Sequence, residues 1–259
     1  MNLPLSKQLS NSLEQKTIII TGASAGIGRQ CAIDCSKAGA CVVLIARSVD
    51  KLLETRSMLE DGNHLVFPYD LSNCEDINVA IKDIVKKVGH VHGFIHSAGA
   101  ADTMPFQAVS PEDMLVLHKV NTISAFEIAR QISKPGCLSP TGASFIFISS
   151  IRAIHPEPGT IAYAASKSAL VSGMKVIALE LAKKKVRCNC ISPGFIRTDI
   201  LDEYLGQIDE EEKQRVLAGS LLGLGEPIDV SRMAIFLLSD QARFITGTDI
   251  VIDGGTLLK

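Results

Sequence analysis

Seven short apolar runs recur along this chain, with helical periodicity between most of them, and no other feature narrows the fold as far. The runs are TIIIT (17–21), CVVLIA (41–46), HLVFPYD (64–70), HGFIHSA (92–98), SFIFISS (144–150), VRCNCIS (186–192) and DIVID (249–253). They are rich in Val, Ile and Phe and mostly lack strict apolar–polar alternation, the pattern of strands covered on both faces. Helical stretches lie over 26–39, 49–61, 72–89, 111–134, 160–184 and 226–240. Such alternation predicts an α/β fold, a doubly wound parallel sheet of about seven strands with helices on both faces. No repeat, low-complexity tract or linker divides residues 1–259, so one domain is expected, and 46% apolar residues suffice for a sizeable core. The stretch 199–225 breaks the rhythm and carries the acidic run Asp209-Glu210-Glu211-Glu212. Ligands bind beyond the carboxyl ends of strands in open α/β sheets, which makes it a candidate substrate lid. An ordinary pair of surface helices explains it equally well.

Charge and hydropathy exclude several classes. A net charge of −2 and the lack of a basic block argue against nucleic acid as a main partner. Lys183-Lys184-Lys185 with Arg187 reads as a solvated helix end that complements the helix dipole. No apolar run approaches the ~20 residues of a membrane span. The opening MNLPLSKQLSNSLEQK lacks the apolar core of a signal peptide and is expected to be a short polar lead-in. Seven cysteines, an odd number, are spaced for neither a disulfide framework nor zinc. Cys31 and Cys35 lie one helical turn apart and read as core residues, and Cys188 and Cys190 share one side of a strand. A reduced, cytoplasmic setting is expected.

The first run leads directly into Thr21-Gly22-Ala23-Ser24-Ala25-Gly26-Ile27-Gly28. A strand turning into a helix points backbone N–H groups and the positive helix end at one spot, which suits a pyrophosphate and predicts a Rossmann-type sheet. Gly22 permits the tight turn, and Gly26 and Gly28 are expected to let backbone and phosphate approach without a Cβ between them. The second strand ends at Ala46, where an NAD enzyme usually places an acidic residue for the ribose hydroxyls. Arg47 and Ser48 follow instead, and an arginine's planar fork matches a 2′-phosphate, so NADP(H) is expected over NAD(H). Asp50 is the rival acidic residue, although the first turn of the next helix is its expected place.

These residues resemble the short-chain dehydrogenase/reductases, from about Leu13 to the C-terminus. TGxxxGxG matches Thr21–Gly28, and an Asp after the third strand that contacts adenine matches Asp70, followed by Leu71. An NNAG segment is represented by His96-Ser97-Ala98-Gly99, where the first two residues depart from the pattern. His96 is expected to be a satisfied structural histidine. A helix asparagine matches Asn121, and a serine thirteen residues before the tyrosine matches Ser150. Tyr163 and Lys167 supply YxxxK, a short motif with a high false-positive risk alone but specific in this ordered company. Ser192-Pro193-Gly194, Ile196 and Thr198 resemble the segment beside the nicotinamide. The resemblance thus implies Asn121, Ser150, Tyr163 and Lys167 as catalytic. It implies cofactor contacts from Gly22, Ser24, Gly26, Ile27 and Gly28, from Ala98 and Gly99, and from Tyr163 and Lys167.

The chemistry gives each residue type a reason. Hydride transfer to a carbonyl leaves an alkoxide that needs a proton, and a free tyrosine with pKa near ~10 is a poor shuttle at neutral pH. A neighbouring cation favours the phenolate, and Lys167, one turn from Tyr163, is expected to lower its pKa. Ser150 would stabilise the developing charge by a hydrogen bond, and Asn121 in the family holds a water linking the lysine to solvent. The wording SPGFIRTDI and FLLSDQARFITGTDIVIDGG most resembles 3-oxoacyl-acyl-carrier-protein reductases. That likeness implies a homo-oligomer, a tetramer or a dimer, built through the helices over 111–134 and 160–184 and the C-terminal strand. A sugar or another polar carbonyl compound stays open as substrate, since Arg152, His155 and Glu157 follow Ser150. An alternative of another class is a non-catalytic NADP(H)-binding sensor.

Overall fold

Ile18, Ile19 and Ile20 are all fully buried, although successive side chains on a strand point to opposite faces. Ile18 and Ile20 enter one core and Ile19 the other, so both faces of the sheet are covered. The computed structural model describes residues 12–259, the side chains of residues 207, 212 and 217 apart. Its strands are β1 (Thr17–Thr21), β2 (Cys41–Ala46), β3 (Leu65–Pro68), β4 (Gly93–His96), β5 (Ala143–Ile148), β6 (Val186–Pro193) and β7 (Asp249–Ile252). They form one seven-stranded sheet in the order β3-β2-β1-β4-β5-β6-β7, and every pairing is parallel.

The first core draws on α1 (Gly26–Lys37), α2 (Val49–Ser57) and α9 (Pro227–Leu238), with Cys31 and Cys35 inside it. The second draws on α3 (Ile77–Val88), α5 (Ser124–Ile132) and α6 (Ile161–Leu181), with Cys188 and Cys190 inside it. Helix α4 (Pro111–His118) begins at a capping box built by Ser110 and Asp113. The chain reverses direction across the sheet between β1 and β4, where Thr21 pairs with His96. That switch point opens a crevice at the carboxyl ends of the strands.

Several boundaries differ from expectation, for identifiable reasons. The strands expected over 64–70, 92–98 and 144–150 stop at Pro68, His96 and Ile148. The residues that follow, Tyr69-Asp70, Ser97-Ala98 and Ser149-Ser150, leave the ladder at the rim of the crevice. The helix expected over 111–134 is interrupted by a π-helical segment, Lys119–Ile123, which carries Asn121. The expected lead-in lies partly outside the described residues. Its described end is anchored, because Leu13 is fully buried and its N–H donates to Ala38 O at 3.0 Å.

The stretch 199–225 contains α7 (Asp199–Gln207) and α8 (Glu210–Ala218). Its two ends meet: Gly225 N donates to Phe195 O and Arg197 N to Gly225 O, each at 2.9 Å. It is therefore an excursion with a closed base beside the end of β6.

Candidate active site

Where β1 turns into α1, Gly22 (φ +66°) and Gly26 (φ +51°) take left-handed conformations. A Cβ on Gly22 would lie 2.7 Å from Ala98 N, so the turn packs directly on the backbone after β4. A Cβ on Gly26 would come within 3.0 Å of Thr198 Cγ2, which brings the segment after β6 to the same spot. Gly28 corrects an expectation. A Cβ there would meet Gly22 O at 2.2 Å, so its bare Cα lets the helix close on its own loop and does not clear room for phosphate.

Hydroxyls of Ser48, Ser110 and Thr198 cap α2, α4 and α7, whereas α1 has Ala25 at its N-cap and no acidic residue in its first turn. Its leading N–H groups keep their capacity for an anion, so the turn fits a pyrophosphate. Arg29, which carried no signal in sequence, braces this loop by donating to Ser24 O at 2.6 Å while pairing with Glu54 at 2.9 Å. Ile27 anchors the other side of the loop against the first core.

Beyond β2, Arg47 is exposed and the Ser48 hydroxyl accepts from Lys51 N at 3.3 Å. Asp50 lies in the first turn of α2, as expected. Asp70 accepts from Ser72 N at 2.9 Å, and this bond, helped by the Arg47 charge, holds its carboxyl below the usual range. Leu71 beside it is buried.

His96 is fully buried and satisfied on both nitrogens, Nδ1 to Thr21 Oγ1 at 3.1 Å and Nε2 to Val120 O at 3.2 Å. The consistent tautomer donates from Nε2 and accepts from the threonine hydroxyl. Thr21 Oγ1 in turn accepts from Ser97 N and Ala98 N, both at 3.2 Å. Burial, with Lys167 nearby, lowers the imidazole pKa to about 3, so it stays neutral. This relay braces the β4 end that the departing NNAG residues left in question.

Tyr163 and Lys167 lie one turn apart on α6, beside Ser150 at the end of β5. The two adjacent serines separate cleanly. Ser149 Oγ donates to Lys167 O at 3.3 Å as a buried strut, while Ser150 Oγ accepts from Arg152 N at 3.1 Å and lies close enough to Tyr163 to favour its phenolate. Lys167 Nζ donates to Ile148 O at 2.8 Å and lies 5.7 Å from the Tyr163 ring centroid. Asn121 Oδ1 accepts from Ala100 N at 2.8 Å, and its Nδ2 donates to Ala100 O and Ser166 Oγ, both at 2.9 Å. A Cβ on Gly99 would sit 3.4 Å from both Asn121 Oδ1 and Lys167 Nζ. The backbone there thus passes close to the lysine.

The electrostatics depart from expectation in one respect. Burial raises the Tyr163 phenol above its ordinary pKa, and the opposing influences are the Ser150 hydroxyl and the Arg152 guanidinium. The expected lowering by Lys167 does not occur in this arrangement, since its ammonium is held on Ile148 O. Burial also lowers Lys167 itself, to about 8.

The wall opposite Ser150 comes from the segment after β6. Pro193 and Ile196 are buried, and Gly194 passes so near Asp253 that a Cβ would lie 2.8 Å from its Cα. Phe195 stacks on Tyr204 of α7, ring centroids 6.5 Å apart and planes at 19°. The Arg152 guanidinium covers the Phe195 ring at 5.2 Å and pairs with Glu157 at 2.5 Å. A cavity of about 380 Å³ shares Arg152 and Glu157 in its lining. Its α6 residues, Ile161, Ala164, Ala165 and Ser168, lie on a different face of the helix from Tyr163 and Lys167, so the cavity adjoins the crevice at Arg152 and Glu157.

A Rossmann-type sheet with a Ser–Tyr–Lys cluster at its switch point defines an oxidoreductase that uses a nicotinamide cofactor. Residues 22–256 match the family described as enoyl-(acyl carrier protein) reductase. The chain belongs to the short-chain dehydrogenase/reductase family. It is similar to the L-rhamnose-1-dehydrogenase of Scheffersomyces stipitis, 32% identical over 97% of this chain and 99% of that protein. It also resembles the 3-oxoacyl-[acyl-carrier-protein] reductase of Thermotoga maritima, 29% identical over 95% of this chain and 99% of the relative. Among solved structures, a short-chain type dehydrogenase/reductase from Mycobacterium ulcerans superimposes with a TM-score of 0.84 and 31% identity, over 95% of this chain and 91% of that one.

Proposed function

We propose that the chain is an NADP(H)-dependent reductase of a carbonyl compound, working equally in reverse as an alcohol dehydrogenase. One observation carries this reading: Tyr163 and Lys167 lie one helical turn apart at the crevice, Nζ 5.7 Å from the ring centroid, with the Ser150 hydroxyl near the phenol. The turn over Gly22, Ser24, Gly26 and Ile27 would hold the pyrophosphate, Asp70 and Leu71 the adenine, and Arg47 with Ser48 the 2′-phosphate. Ala98, Gly99, Pro193, Gly194, Ile196 and Thr198 would flank the nicotinamide. When bound, that cofactor supplies the hydride for reduction or accepts it in oxidation.

The chain's own residues then handle the oxygen and its proton. Ser150 donates a hydrogen bond to the substrate oxygen, stabilising charge as it develops. Tyr163 gives its phenolic proton to the oxygen in reduction and takes one in oxidation. Lys167, charged when it meets the phenolate, makes that loss of a proton less costly. Asn121 keeps the Gly99–Ala100 backbone beside the lysine. Of the two substrate classes, a 3-oxoacyl thioester has the support of the relatives named as carrier-protein reductases. A polar, hydroxylated compound has the support of the relatives named as sugar dehydrogenases and of the Arg152–Glu157 pair beside Tyr163. The pair favours the second.

In this reading 199–225 is the lid of one domain, the protein is a homo-oligomer, and its seven free thiols suit a reducing cytoplasm. The test is NADPH oxidation by purified protein across acetoacetyl thioesters, keto-sugars and simple ketones. Tyr163→Phe is expected to lower turnover by about 10²–10⁴-fold with NADPH affinity unchanged. Substantial activity in that variant would sink the mechanism.

A further inference from the structure

Arg152 is the least expected residue in the crevice. Its side chain is only 8% exposed, yet it sits beside a tyrosine that must lose and regain a proton. It is held from several sides. Its backbone N–H donates to Ser150 Oγ, its Nη1 reaches His155 O at 3.4 Å, and its plane lies over Phe195. Its Nη2 is 2.5 Å from Glu157 Oε2, but fully buried and out of line for a hydrogen bond, so donor capacity remains. Glu157 is held too, by a turn in which Thr160 Oγ1 donates to Glu157 O at 2.7 Å just before α6 begins. Its carboxylate, 32% exposed, keeps lone pairs for another donor.

We propose that Arg152 and Glu157 are the specificity-determining pair of this site and read two neighbouring hydroxyls on an uncharged, polyhydroxylated substrate. This rests on the hydride-transfer reading and narrows its substrate. A donor and an acceptor fixed side by side match a vicinal diol, each hydroxyl of which gives one hydrogen bond and takes another. The charges decide against a carboxylate or phosphate ligand. Glu157 already neutralises Arg152, and α7 opens with Asp199 and Asp202. An anion would have to displace a carboxylate held 2.5 Å away and face those charges. A plain apolar ketone would leave the pair covered and unsatisfied, a cost that a hydroxylated substrate avoids.

The experiment measures kcat/KM with NADP+ for aldohexoses, for analogues lacking one hydroxyl each, and for cyclohexanol, with acetoacetyl thioester and NADPH as the acyl arm. Wild type, Arg152→Leu, Glu157→Gln and Tyr163→Phe are compared. Wild type is expected to prefer an aldohexose, and one deoxy analogue should lose at least about 10-fold. Arg152→Leu should lose on the order of 100-fold on the parent sugar and little more on that analogue, the non-additivity of two changes at one contact. Both variants should lose at least about 10-fold less on cyclohexanol than on the parent sugar, because no hydroxyl pair is there to be read. Glu157→Gln, nearly isosteric, carries the test if Arg152→Leu does not fold.

Equal losses on sugar and cyclohexanol would overturn the proposal, leaving Arg152 as a brace for Ser150. Wild-type turnover of cyclohexanol or thioester but of no aldohexose would also overturn it, with hydride transfer intact. Wild type no more active than Tyr163→Phe on every compound would instead remove the hydride-transfer reading, and this proposal with it.

Discussion

Arg47 stands exposed beyond β2, near enough to Asp70 for its charge to help hold that carboxyl ionised. An adenosine 2′-phosphate brought there would take up the guanidinium's forked donors, at the strength of charge-assisted hydrogen bonds. Arg47→Ala is therefore expected to lower kcat/KM for NADPH by roughly 10–100-fold and to leave NADH nearly unchanged. Initial rates with both cofactors check this, and an unaltered ratio between them would refute the assignment. The residues legible in sequence were those whose spacing implies chemistry: Tyr163, Lys167 and Ser150, the last told from Ser149 by its offset alone. The lesson of Gly28 is narrower. Its spacing marked a glycine, but only the contact with Gly22 O shows that helix packing demands it. Arg29 and Arg152 gave no functional signal of comparable strength, because their roles depend on partners folded against them, Ser24 O and Glu54 for one, Phe195 and Glu157 for the other.

At the scale of elements, the register of β1 against β4 sets Thr21 beside His96 and joins the glycine turn to the crevice. The same register makes stability depend on pH. His96 ordinarily titrates near 6.5 but in the fold only at about 3, so between those values the unfolded chain binds the extra proton. Stability is thus fully present above pH 6.5 and is lost as pH falls toward 3, by up to about 1.4 kcal/mol per pH unit from this group. Other groups titrate in the same range, so the variant His96→Asn, which cannot take up that proton, isolates the effect. Urea unfolding at pH 7, 6 and 5 should show wild type losing stability relative to His96→Asn at each step below 6.5. A constant difference would mean that His96 does not titrate as its burial implies. Most elements were plain in the sequence, the helices from their periodicity and the strands from short apolar runs covered on both faces. Their ends were not. Hydrophobicity continues through Ser97-Ala98 and Ser149-Ser150 after the ladder has stopped, and nothing in residues 111–134 announces the π-helical turn that aims Asn121 at Ala100.

For the whole molecule, the exposed apolar side chains are informative because the two cores already account for the interior. Val116 on α4 is 60% exposed and Leu179 on α6 is 79% exposed, with Leu115 and Val176 beside them in sequence also open to solvent. A separate set lies toward the C-terminus, where Phe244 is 94% exposed, Leu258 is 81% exposed and β7 forms an edge of the sheet. Two such surfaces on one chain, each matched to its own copy by a two-fold axis, generate a closed tetramer of dihedral symmetry. One surface alone would close as a dimer. Sedimentation velocity should therefore find wild type as a tetramer, Leu179→Glu as a dimer held by the C-terminal surface, and Leu179→Glu with Phe244→Glu as a folded monomer. The excursion over 199–225 gives this order a consequence for activity. Ser220 Oγ and Leu222 N both bond to Gly254 O, so the returning arm of 199–225 rests on the turn after β7. Loss of the C-terminal surface should then raise KM more than it lowers kcat, whereas loss of the helical surface should leave KM nearly unchanged. A wild-type monomer in sedimentation would end this account, and equal effects of the two substitutions on KM would separate assembly from the excursion over 199–225.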